Sequence, residues 1–98
     1  MGNDPRTLSS TLLQQRGFIL KCFFNLATLT YDPDLLGVEV ATIEEARIKA
    51  ARYLGEVIRD RPGMVWAGEE VRIEVTNEKQ VVLFTVAAFG LDASSTAA

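Results

Sequence analysis

Acid–base or nucleophilic chemistry near neutral pH needs a titratable group poised there, and this 98-residue chain has no histidine. Its one cysteine, Cys22, falls in an apolar run whose alternation turns it inward, where a thiol packs rather than reacts. All four serines, Ser9, Ser10, Ser94 and Ser95, lie in the terminal segments, so no serine triad can be assembled. Asp32 and Asp34, with Glu39 nearby, offer oxygen ligands, but a calcium loop needs more of them in a fixed register. Aspartates in a proline-containing turn ordinarily serve the turn itself. Glu69 and Glu70 read as solvated charges, and neither Gly63 nor Gly68 opens a helix as a phosphate loop would. These residues predict no enzyme, no metal and no cofactor.

Binding is the remaining class. The net charge is −3, which supplies no basic field for nucleic acid or an acidic membrane. Arg47, Lys49, Arg52, Arg59 and Arg61 are interleaved with Glu44, Glu45, Glu56 and Asp60. A ridge of Ile48, Arg52 and Arg59 is the alternative binding surface, with a nucleic-acid-associated regulator as the alternative function. Trp66 closes the end of the core or anchors an interface, tryptophan being enriched at binding hot spots.

The element that must position these groups is residues 42–60, whose apolar residues recur at helical period. Ile43, Ala46, Ala50, Ala51, Tyr53, Leu54, Val57 and Ile58 share one arc, with the charges opposite. Arg47 falls at the edge of that arc and is expected to lay its stem along the core with its head in water. Thr42 and Glu45 form a capping box, Glu44 and Glu45 favour the positive end of the helix dipole, and Arg61-Pro62 stops the helix. Before it, residues 18–30 predict a long strand with Phe18, Leu20, Cys22, Phe24 and Leu26 facing the helix. Residues 31–37 predict a turn, and 38–40 a short partner strand. After the helix, residues 71–76 alternate cleanly, and residues 81–89 form a strand apolar on both sides.

The expected fold is therefore α+β, a two-layer ββαββ sandwich with a four-stranded, mostly antiparallel sheet and one helix on one face. Residues 18–90 make the domain. Residues 1–17 form a leader with a short helix carrying Leu8, Leu12 and Leu13, and residues 91–98 a disordered tail. The two long strands, 18–30 and 81–89, are expected at the centre, with Val82, Phe84, Val86 and Ala88 toward the helix. One helix then leaves Ile19, Phe23, Val81, Leu83 and Phe89 on the opposite face, a patch large enough to signal association. The leader or a second copy should cover it, and a homodimer is the favoured solution. A lone cysteine suits a reducing compartment, and no apolar run is long enough for a membrane helix, so the expectation is cytoplasmic.

From Cys22 onward the order of features resembles a family of small bacterial domains of unknown function. The resemblance rests on Cys22-Phe23-Phe24-Asn25, the turn from Asp32 to Asp34, and Gly37-Val38-Glu39. It continues through Glu45-Ala46-Arg47 with Ala50 and Ala51, then Ile73-Glu74-Val75-Thr76-Asn77-Glu78, and the apolar strand from Val82 to Val86. Two departures are the leader and Lys79, which stands where members place a turn glycine. The resemblance implies the ββαββ order and a bacterial origin, and it implies no activity.

Overall fold

A computed structural model describes residues 19–93. The leader at 1–17 with Leu8, Leu12 and Leu13, Phe18, the four serines and the last five residues of the tail lie outside the described residues. In chain order the elements are β1 (Leu20–Ala27), β2 (Tyr31–Asp32), β3 (Val38–Val40), α1 (Ile43–Asp60), a 3-10 helix (Pro62–Trp66), β4 (Val71–Thr76) and β5 (Val82–Ala88). All pairings are antiparallel, in the order β2-β1-β4-β5, with β3 also on β1. The fold is the expected α+β sandwich, an antiparallel sheet with one main helix packed against it.

Thr42 caps α1 through its Oγ1, which accepts from the Glu45 amide at 3.0 Å. The Glu45 carboxylate reaches one residue further back than a standard box and accepts from the Ala41 amide at 2.8 Å. The helix buries Ala46, Ala50, Leu54 and Val57 against the sheet, and the two fully covered alanines let its backbone approach closely. Ala51, expected in that stripe, is exposed, and so is Arg47, because the buried stripe is narrower than the full apolar arc.

β4 is the spine of the core. Val71, Ile73 and Val75 are almost wholly buried between α1 and the neighbouring strands, beside Cys22, Phe24 and Leu26 of β1. The alternation of 71–76 sends Arg72, Glu74 and Thr76 to the face away from the helix, where Arg72 Nε meets Glu74 Oε2 at 3.2 Å. The expectation that 81–89 is central is therefore corrected: β5 is an edge strand, and the cleanly alternating β4 takes the centre. A strand apolar on both sides reads as doubly buried, but here it is the sheet's border.

Residues 31–32 pair back on Leu26 and Ala27 as β2 instead of forming only a turn, so the sheet has five strands. Because β2 and β3 share one edge of β1, it is still four strands wide. A second correction concerns Val82. The β4–β5 register slips between Val75, opposite Phe84, and Thr76, opposite Val82, so one residue is inserted in β5. Val82 thereby shares the face of Thr76, away from the helix, while Phe84, Val86 and Ala88 keep the helix side.

The turn leading into that bulge is built by Asn77, whose Oδ1 accepts from the Lys79 and Val81 amides at 2.8 and 3.0 Å. Its left-handed residue is Gln80 (φ 65°), so the position that favours glycine is 80 and not 79. Gln80→Gly is expected to raise stability by about 0.5–1 kcal/mol: relief of left-handed strain slightly exceeds the extra chain entropy of glycine. Chemical denaturation of the two proteins checks this.

Candidate functional site

The two edges of the sheet are built in opposite ways. On the β1 side the edge is broken into β2 and β3, of two and three residues, with Pro33 and Asp34 between them. Asp34 occupies the gap. Its Oδ2 accepts from the Phe24 amide at 3.1 Å, and its Oδ1 accepts from the Leu36 and Gly37 amides, both at 3.0 Å. Its own amide donates to Asn25 Oδ1 at 2.9 Å, and Asn25 Nδ2 in turn donates to the Glu74 carbonyl at 2.9 Å. The buried Asn25 thus ties this edge to β4. Burial alone would push the Asp34 carboxyl up. The Gly37, Phe24 and Leu36 amides and the Lys21 charge outweigh it and hold the pKa below its ordinary value.

Both carboxylate oxygens of Asp34 thus accept from backbone amides, so this side chain serves the turn. Among the described residues, no three cysteine or acidic side chains are grouped to hold an ion. Cys22 is fully covered, and burial pushes its thiol up, away from the thiolate that reacts. A groove of about 370 Å³ runs between α1 and this edge, lined by Phe24, Asp32, Pro33, Val38, Lys49 and Tyr53. Burial, then the charges of Asp32 and Asp34, push the Tyr53 hydroxyl up and keep it protonated.

At the other border β5 pairs with β4 on one side only, and among the described residues nothing pairs with its outer side. Residues 81–89 carry neither a charge nor a proline, the two devices that ordinarily blunt a free edge. Leu83 is 38% exposed, Phe89 55%, and Val81 and Val82 are exposed as well. Trp66 is 61% exposed, so it does not close the core. Its ring lies against the α-carbon of Gly90, where a Cβ would overlap it, and the Gly90 amide donates to the Val65 carbonyl at 2.8 Å. Trp66 therefore sits at the end of β5, next to Phe89.

The predicted interface residues fall into two groups. Val81, Leu83, Phe89 and Trp66 gather along the β5 border, whereas Phe23 belongs to β1 and Ile19 immediately precedes it, and the polar row Arg72, Glu74 and Thr76 of β4 separates β1 from β5. Phe23 is also partly committed: its ring covers Gly37, and Lys21 Nζ stands 5.7 Å from its centroid. The far face is thus not one continuous apolar patch. Ile48, Arg52 and Arg59 are all exposed on the helix, with Arg59 Nε held 3.3 Å from Asp60 Oδ1. Sequence reasoning missed Val82, which only the bulge exposes, and the Lys49–Tyr53 groove, whose i,i+4 spacing was the available signal.

The profile of the Domain of unknown function (DUF6894) matches residues 21–90, from Lys21 on β1 to the Gly90 that Trp66 covers. The chain belongs to this family. No curated protein and no solved structure gives a significant match. The match takes in both edges of the sheet, and the family carries no assigned activity. In this DUF6894 domain no described helix is long and apolar enough to cross a membrane.

Proposed function

We propose that this DUF6894 domain is a non-enzymatic protein-interaction module that self-associates through the β5 border, in a reducing compartment. The observation that carries the proposal is the contrast between edges: one is broken, charged and tied down by Asp34, the other is seven residues long, uncharged and unpaired among the described residues. The exposed Leu83, Phe89 and Trp66 beside that edge add apolar area that association would bury. The non-enzymatic reading is supported by the state of the two residues best suited to chemistry, Cys22 sealed in the core and Asp34 engaged by three backbone amides. A nucleic-acid role for Arg52 and Arg59 has less support, since Asp60 pairs with Arg59 and the chain is acidic.

Sedimentation velocity across the micromolar range tests the proposal. The wild-type protein is expected to show a concentration-dependent larger species, and Leu83→Glu or Phe89→Glu is expected to weaken it at least tenfold by placing a carboxylate in the contact. Arg52→Glu, on the opposite side of the sheet's helix layer, should leave it unchanged. Association that ignores both β5 substitutions would sink the proposal.

A further inference from the structure

We infer that the occupant of the β5 edge is a second copy of this chain, paired antiparallel about a twofold axis through Val86; the inference rests on the self-association reading above. Two features bound the stretch able to pair. At its start, the register slip at Val82 and Leu83 ends the regular ladder. At its end, Gly90 donates its amide to Val65 and lies under Trp66. The regularly paired window is Phe84–Ala88, and its midpoint is Val86.

Side-chain size agrees with that centre. Antiparallel pairing about Val86 sets Leu83 opposite Phe89, Phe84 opposite Ala88 and Thr85 opposite Ala87. Phe84 and Ala88 both face the helix side, where a large ring meets a small neighbour and neither is crowded. Leu83 and Phe89, both exposed in one chain, cover each other on the far face. Sliding the centre to Thr85 would set Phe84 against Val86 and bring Ala88 onto the bulge. Sliding it to Ala87 would set Phe84 against the Gly90 already covered by Trp66. No charge lies in the window, so no like charges meet across the axis. The result is one continuous sheet of doubled width with both α1 helices on the same face, a closed twofold assembly that removes both free edges at once.

Thr85 and Ala87 are small, exposed and directly opposite in this register, so cysteines there report it without disturbing the core. Full-length Thr85→Cys and Ala87→Cys proteins are mixed, oxidised mildly and resolved by non-reducing gel and mass spectrometry. Cys22 is buried and stays unreactive. The expected result is a disulfide-linked pair of one Thr85→Cys chain and one Ala87→Cys chain, with little linked product from either alone, because facing strand positions are within disulfide reach and positions two residues out of step are not. Thr85→Cys linking efficiently to itself moves the axis to Thr85, and Ala87→Cys to itself moves it to Ala87; either overturns the register. A protein that remains associated in sedimentation but forms no linked product of any kind overturns the edge pairing while leaving self-association standing. A monomer at all concentrations overturns both, and means that the edge is occupied within one chain or left bare.

Discussion

Asp34→Ala is expected to destabilise the fold by about 2–3 kcal/mol, since two partly buried amides, those of Phe24 and Gly37, lose a charged acceptor at once. The Phe24 amide lies where β1 has passed beyond β3 and not yet reached β2, so neither short strand supplies a backbone carbonyl to replace the carboxylate. Equilibrium urea unfolding of the variant measures the loss. The same residue gives the protein an acid limb. The Asp34 carboxyl has a lower pKa folded than unfolded, so its contribution is fully present above the ordinary aspartate value of about 3.9 and is lost as pH falls through the lower, folded value. Asp34→Asn keeps an oxygen acceptor but cannot ionise; it should be less destabilising than alanine near pH 7 and should lose less stability between pH 5 and pH 2 than the wild type does.

Gly37→Val is expected to cost about 3 kcal/mol or more, through two independent conflicts. The backbone there is left-handed (φ 76°), a conformation that β-branched residues avoid. A Cβ would also stand 2.8 Å from Phe23 Cε2 and 3.0 Å from Lys21 Cε, so the ring must shift to admit it. Thermal unfolding monitored by circular dichroism checks the cost. Because Asp34 Oδ1 accepts from the Gly37 amide, the two sites share one turn, and the double variant should lose less than the sum of the single ones.

How far this domain can be read from its sequence follows from which signals are local. The helix is written in residues 42–60 themselves, because its cap, its stripe and its stop each involve neighbours within four positions. The inward sets on β1 and β4 are legible for the same reason: Cys22, Phe24 and Leu26, and Val71, Ile73 and Val75, alternate without a break. The place of β5 is not local. Its apolar character on both sides fits a doubly buried central strand as well as an edge awaiting a partner, and only the pairing of β4 with β1 separates the two. Alternation alone puts Val82 on the helix side, but parity holds only until a bulge, and this bulge follows a turn whose left-handed residue is a glutamine. Asp34 read correctly as a turn residue, but its reach to the Phe24 amide spans ten positions and depends on the gap between two short strands.

Association through a strand edge is tested most directly by amide hydrogen exchange along Val82–Ala88. Amides on the outer side of β5 should exchange freely in dilute protein and become protected as concentration rises, in step with the larger species, while those of β4 stay protected throughout. Outer amides that exchange rapidly at every concentration, in a sample that is nevertheless associated, would contradict the account and move the contact away from this edge.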